Sequence, residues 1–316
     1  MQVLITGAAG FIGSHLSEKL LAGGYRVVGL DNFDDFYSPR VKQENLAACR
    51  QEEGFTLVEG DIRDRACVEA LLQNNSIDMI VHLAAKAGVR PYIKNPLEYQ
   101  DVNINGTLVL LEAARLHGIR KFIFSSSSSV YGNNEKVPFA ETDNVDYPLS
   151  PYAATKKAGE LMCHTYHHLY DMDITCLRLF TVYGPRQRPD LAIHKFARLI
   201  EAGESIPVYG DGSMARDFTY IDDIIQGIRA AMEHGAGYRI YNLGEAQPYR
   251  LDELIKELEQ ALGKKAQIQR LPIPPGDVKK TFADITRAQK ELGYQPQTAL
   301  REGLKIFVRW LHRPPA

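Results

Sequence analysis

Met1-Gln2-Val3-Leu4-Ile5-Thr6-Gly7-Ala8-Ala9-Gly10-Phe11-Ile12-Gly13-Ser14 opens the chain, and its reading decides the fold. Gln2 to Ile5 is a short apolar, β-branched run that reads as a strand; Gly7, Gly10 and Gly13 follow at once; Ser14 to Leu21 then has a helical pattern. Glycines let the backbone turn tightly and approach a pyrophosphate, while a helix N-terminus presents unpaired N–H groups and the positive end of its dipole. Alone, such a triplet also fits a plain strand-to-helix turn. Asp31 changes that balance. It ends the next apolar strand about 20 residues on, where a carboxylate accepts hydrogen bonds from adenosine ribose hydroxyls and repels a 2′-phosphate. The combination points to NAD, with Gly7, Gly10, Phe11, Ile12, Gly13, Asp31 and Asn32 as its first contacts.

Outward from this unit, further strands are expected at Arg26 to Leu30, Thr56 to Val58, Met79 to Leu83, Lys121 to Phe124 and Ile174 to Leu179, with helical patterns between them. Such alternation predicts an α/β fold with a Rossmann-type, doubly wound parallel sheet that binds ligands at the carboxyl ends of its strands. From about Thr181 the alternation fades and proline and glycine increase. Two helices follow, near Leu251 to Leu262 and Ala299 to Leu311. The expected division is a cofactor domain at 1–180, with a return at about 217–243, and a smaller α/β substrate lobe at 181–216 and 244–316. A length of 316 residues suits this, because single cores seldom grow past about 250 residues.

Hydrophobic residues make up 45% of the chain and charged residues 24%, the usage of an ordinary globular protein. Formal charge is −2 and basic residues form no dense run, so nothing supports a nucleic-acid groove. Cys49, Cys67, Cys163 and Cys176 lack CxxC spacing and read as reduced thiols, without a metal site. No apolar stretch reaches the ~18 residues of a membrane span and the opening residues carry no basic targeting region, so a cytoplasmic protein is expected.

Two further strand ends face the same expected site. Asp61, in Gly60-Asp61-Ile62, reads either as an acceptor for the adenine amino group or as a turn aspartate capping the next helix. Leu83-Ala84-Ala85-Lys86 offers small side chains beside a cofactor, and His82 reads as a packed strand histidine. The strand Lys121 to Phe124 runs into five serines, Ser125 to Ser129, then Val130-Tyr131-Gly132; flanked this way, they read as ordered hydroxyls at a strand end. Tyr152-Ala153-Ala154-Thr155-Lys156 opens the next helix. Residues at i and i+4 share a helical face, and an ammonium beside a phenol favours the phenolate, so the pair can furnish a base near neutral pH.

Taken together, Gly7/Gly10/Gly13, Asp31, Asp61-Ile62, Lys86, Asn103 in Asn103-Ile104-Asn105-Gly106-Thr107, the serine run, Tyr152/Lys156 and Arg216-Asp217-Phe218 resemble the extended short-chain dehydrogenases/reductases, in their nucleotide-sugar epimerase and dehydratase group, over essentially the whole chain. The resemblance implies that Tyr152 exchanges a proton with a sugar hydroxyl, that Lys156 holds the nicotinamide ribose, and that Ser127 hydrogen-bonds the reacting oxygen. Lys86 and Asn103 match nicotinamide contacts, Arg216 a diphosphate contact, and Asp277 a further substrate-lobe motif. Relatives dimerise through flanking helices, here those holding Asn105 to Arg115 and Tyr152 to Tyr166.

Dehydratases of this group carry Asp-Glu directly after the active-site hydroxyl, and decarboxylating relatives keep the glutamate; this chain has Ser128 and Ser129. What remains is 4-epimerisation with bound, recycled NAD. Thr181, where relatives acting on uridine-diphosphate (UDP) glucose typically have asparagine, together with Arg188 and Ser127 to Ser129, is similar to the UDP-glucuronate 4-epimerases. Hydroxyl donors and a cation suit a C6 carboxylate. UDP-glucose 4-epimerisation and a non-catalytic NAD-binding regulator are the competing readings.

Overall fold

In the computed structural model, which describes residues 1–88, 95–272, 278 and 280–313, the first half alternates strand and helix. The order is β1 (Gln2–Thr6), α1 (Phe11–Ala22), β2 (Arg26–Asp31), α2 (Pro39–Asn45), β3 (Phe55–Glu59), α3 (Arg65–Asn74), β4 (Met79–His82), α4 (Pro96–Gln100), α5 (Gly106–Leu116), β5 (Lys121–Ser127), α6 (Pro151–Tyr170) and β6 (Asp173–Leu179). β7 (Thr181–Tyr183), α7 (Ala192–Ala202), β8 (Ser205–Tyr209), β9 (Ala215–Tyr220), α8 (Ile221–His234), β10 (Tyr238–Leu243), β11 (Pro248–Arg250), α9 (Leu251–Leu262), β12 (Gln267–Leu271), α10 (Thr286–Leu292) and α11 (Leu300–Leu311) follow.

The expected parallel sheet is present, with seven strands in the order β10-β6-β5-β4-β1-β2-β3 and every neighbouring pair parallel. β1 shows why its sequence is a continuous apolar run. Val3 and Ile5 pack into the core on one face of the sheet and Leu4 into the core on the other, since successive side chains of a strand point opposite ways and both faces are covered by helices. The chain order reverses between β1 and β4. Thr6 lies level with Leu30 of β2 and His82 of β4, so these strands end flush and leave a crevice at their carboxyl ends.

Two small sheets, β11-β9-β7 and β12-β8, belong to the later part of the chain. Of the 217–243 stretch, β9 pairs with β7 and β11, whereas α8 packs against α1 and β10 joins the large sheet as its edge strand. All four cysteines carry free thiols. Among the described residues no helix is long and apolar enough to cross a membrane.

Candidate active site

The strand ends enclose one cleft of about 500 Å³. It brings together Gly7, Gly10, Phe11, Ile12, Gly13, Asp31, Asn32, Asp61, Ile62, Leu83, Ala84, Ala85, Lys86, Ser127, Ser128, Ser129, Tyr152, Lys156, Thr181 and Arg188, residues spread over 180 positions of sequence. Asn103 and Arg216 do not line it. Asp277 lies outside the described residues.

At one end sits the glycine turn. Gly7 adopts φ +70, and a Cβ on Gly13 would stand 2.1 Å from the Gly7 carbonyl oxygen, so neither position takes a side chain without rebuilding the turn. Gly10 caps α1 with no side-chain hydrogen bond, which leaves first-turn N–H groups open to an anion in the cleft. Asp31 is only 7% exposed. It accepts the N–H groups of Ala9 (2.9 Å) and Phe33 (2.9 Å) and keeps lone pairs for a ligand; burial raises its pKa above the ordinary value. Asp61 is held by Arg63, which donates Nε and Nη2 at 2.9 and 2.7 Å, and by Asn32 Nδ2 at 3.0 Å. The Arg63 hydrogen bonds lower its pKa to about 2. Helix α3 is capped instead by Asp64, which accepts from Ala66 and Cys67 N–H, so the capping reading of Asp61 does not hold.

Asn103, expected as a nicotinamide contact, braces the backbone beside the cleft. It sits in a π-helical turn, Asp101–Asn105, between α4 and α5, an irregularity frequent near functional sites. There its amide accepts the Lys86 N–H (2.8 Å) and donates to the Lys86 carbonyl (3.0 Å) and to Thr155 Oγ1 (3.0 Å). It therefore fixes the loop after β4 against the helix that carries Tyr152. The Lys86 ammonium reaches Asp34 (2.8 Å) and Glu98 (2.7 Å). His82 is a packed strand histidine between Thr6 Oγ1 and Thr107 Oγ1, and burial lowers its pKa to about 3.

Tyr152 and Lys156 stand in the first two turns of α6, which starts with Pro151 and is capped by Ser150 Oγ accepting Ala153 N–H at 3.1 Å. Lys156 donates to the Ser125 carbonyl at 2.6 Å and lies 5.0 Å from the Phe124 ring centroid; burial lowers its pKa to about 8. The groups acting on the Tyr152 phenol are Ser127 and Arg188 rather than Lys156. Burial raises that phenol, a hydrogen bond with Ser127 opposes the rise, and the cation that also opposes it is Arg188. β5 runs through Ser125 and Ser126 to Ser127, whose Oγ caps a 3-10 turn by accepting Ser129 N–H at 3.2 Å. The serine run is thus ordered, with residues 127, 128 and 129 lining the cleft.

Behind the serines lies a network that sequence reading missed. Ser126 Oγ donates to Glu160 Oε1 (2.7 Å), and Arg178 grips both Glu160 oxygens at 2.8 Å from the adjacent strand. Arg178 also covers the Tyr131 ring at 4.8 Å, and Tyr131 donates to Asn242 Oδ1 (2.6 Å). Glu160 is one helical turn beyond Lys156, so a buried pair joins α6, β5 and β6 beneath the chemical centre.

Opposite these groups, Thr181 begins β7, and Arg188 lies along the Phe36 ring at 5.0 Å with its guanidinium on Asp190 (2.9 and 2.7 Å). Arg186 turns away to Glu18 of α1. Arg216 sits on β9 opposite Tyr249, half-buried, donating to the Ala215 carbonyl at 3.0 Å. Asp34, Phe36, Tyr37 and Lys42, from the loop after β2 and from α2, also line the cleft.

The sequence profile of the GDP-mannose 4,6 dehydratase family matches residues 4–307. UDP-glucuronate 4-epimerase of Thermodesulfobacterium geofontis is 45% identical over 308 residues, which span 97% of this chain and 95% of that protein. The solved UDP-glucuronic acid 4-epimerase of Bacillus cereus, in complex with UDP-glucuronic acid and NAD, is 40% identical with a TM-score of 0.93, covering 98% of this chain and 99% of that one. UDP-glucose 4-epimerase of Thermotoga maritima, with UDP-glucose, is 35% identical with a TM-score of 0.91, over 98% of each chain. The chain belongs to the GDP-mannose 4,6 dehydratase family, within the nucleotide-sugar epimerase group of the extended short-chain dehydrogenases/reductases.

Proposed function

We propose that this protein is an NAD-dependent UDP-sugar 4-epimerase, converting UDP-glucuronate to UDP-galacturonate by reversible oxidation at C4. The observation that carries the reading is that one cleft is lined together by the glycine turn and Asp31, by Tyr152, Lys156 and Ser127, and by Thr181 and Arg188. The open N–H groups of α1 and the carboxylate of Asp31 suit the pyrophosphate and adenosine ribose of a dinucleotide. When bound, NAD supplies reversible hydride transfer.

In this reading Tyr152 takes the proton of the C4 hydroxyl and later returns one to the C4 oxygen. Ser127 hydrogen-bonds that oxygen throughout, and Lys156 is placed to hold the nicotinamide ribose and to favour the phenolate once Tyr152 is engaged. The sugar ketone turns over between the two transfers, so both faces of C4 become accessible. Ser128 and Ser129 occupy the positions where a dehydratase needs a carboxylate acid-base pair, and a hydroxyl cannot replace it, so elimination of water is not supported. Hydroxyls of Ser127 to Ser129 and Thr181, with the Arg188 cation, support a C6 carboxylate. Held away from alignment with the C4 ketone, that carboxylate is protected from loss as carbon dioxide. Residues 181–216 and 244–316 form the sugar-nucleotide lobe in this reading, with Arg216 as its diphosphate contact and Asp277 in a further motif of that lobe.

The test is to incubate the purified protein with UDP-glucuronate and, separately, with UDP-glucose, and to read the products by proton NMR. UDP-galacturonate is expected from the first at the higher rate. Turnover of the glucose compound alone contradicts the sugar assignment, and turnover of neither favours a binding protein.

A homodimer in the cytoplasm completes the proposal. Leu108 and Leu116 of α5 and Leu161 and Leu169 of α6 are exposed on neighbouring helices, an apolar surface that a second copy would cover; sedimentation at micromolar concentration reads the mass. The four free thiols suit a reducing compartment, and a fluorescent fusion imaged in the source cell reads the location.

A further inference from the structure

Lys42 of α2 is only 7% exposed, yet its Nζ has, among the described residues, no hydrogen-bond or ion-pair partner; its close neighbour is the Tyr37 ring, 5.0 Å to the centroid. It lines the cleft beside Asp31 and Tyr37. The stem of Lys42 is buried while its ammonium tip stays accessible on the cleft, so a group bound there can serve as its acceptor. Two carboxylates act on it through their charge without lying in hydrogen-bond or ion-pair range. Asp31 accepts the N–H groups of Ala9 and Phe33, and Asp34 accepts the Phe36 N–H and pairs with Lys86.

A donor lacking an acceptor, next to a carboxylate with spare lone pairs, matches the hydroxyls of a ribose. One hydroxyl donates to Asp31 while an oxygen of the same diol accepts from Lys42. We propose that Lys42 is a specificity-determining residue for the dinucleotide: it shares the adenosine ribose with Asp31, and it forms a latent phosphate site that only the Asp31 charge closes to NADP. This rests on the NAD reading above. A 2′-phosphate brings added negative charge against Asp31, while Lys42 attracts the same group. Deleting the Asp31 carboxylate removes the larger negative influence on Lys42 while Asp34 stays paired with Lys86, so the local field turns toward favouring an anion.

The experiment is calorimetric titration of NAD and NADP into the wild type, Lys42→Met, Lys42→Arg, Asp31→Ser and the double variant Asp31→Ser/Lys42→Met, each checked by thermal melting. Lys42→Met is expected to weaken NAD roughly tenfold, the scale of a hydrogen bond to a charged group, with recovery in Lys42→Arg. Asp31→Ser is expected to bind NADP and the double variant to lose that binding at least about tenfold. Lys42→Gln replaces Lys42→Met where the latter melts early. Equal NAD affinity in the charge-removing variant and the wild type overturns the proposal, as does equal NADP affinity in Asp31→Ser and the double variant. Failure of the wild type to bind NAD at all would instead overturn the cofactor reading itself.

Discussion

Tyr152→Phe is expected to bind NAD and UDP-glucuronate with near-normal affinity and to epimerise about a thousandfold more slowly, the scale of a lost general acid-base group. The substitution deletes one oxygen and leaves the ring. That oxygen is the partner of Ser127, and it is the proposed group in the cleft placed to exchange a proton with the C4 hydroxyl. The aliphatic hydroxyl of Ser127 is far less acidic than a phenol and so a poor source of a base, and the Lys156 ammonium, which donates to the Ser125 carbonyl at 2.6 Å, has no lone pair to accept a proton. Titration calorimetry together with initial rates checks the prediction. Turnover within tenfold of the wild type removes Tyr152 from the role given to it.

Arg178→Met is expected to carry the largest stability loss of any single side-chain change behind the cleft. Both members of the Arg178–Glu160 pair are 1% exposed, at 2.8 Å. Breaking such a pair leaves an uncompensated buried carboxylate and costs about 3–5 kcal/mol, whereas removing both charges costs far less. At roughly 2–4 °C per kcal/mol for proteins of this scale, the melting temperature falls by about 10 °C. The double variant Arg178→Met/Glu160→Leu is expected to recover most of it. Arg178→Met that melts with the wild type contradicts the account of this pair, as does a double variant that melts as low as the single one.

The first half of the chain was legible because its signals are local. Each of six strands of the large sheet appears in sequence as a short apolar run, and the register of Thr6 with Leu30 and His82 follows from parallel βαβ units. The glycine turn is legible because its shape depends on neighbours in sequence. β10 was harder to read: Tyr238-Arg239-Ile240-Tyr241-Asn242-Leu243 carries Arg239 and Asn242, tolerated because it is the edge strand and because Asn242 meets Tyr131. The short strands of the two small sheets escape for a similar reason, since their pairing is set by distant partners. Glu160 and Arg178 are 18 positions apart on different elements, and no periodicity links them.

The site divides in the same way. Tyr152 and Lys156 share a helix face, so their spacing alone places them together. Asn103 matches a cofactor contact by family resemblance, and its amide also closes on the Lys86 backbone from a π-helical turn, a pairing that no sequence pattern shows. Lys42 was missed because a lysine in a short charged helix reads as solvated, and only the fold shows it buried beside Asp31.

Reversible oxidation at C4 leaves an isotopic signature. It is tested most directly with UDP-glucuronate deuterated at C4, incubated with the wild-type protein in ordinary water and followed by NMR and mass spectrometry. The account predicts UDP-galacturonate with the deuterium still at C4, because C4 loses and regains the same hydrogen without exchange. Product that has lost its label to water, or a product lacking the C6 carboxylate, would contradict it.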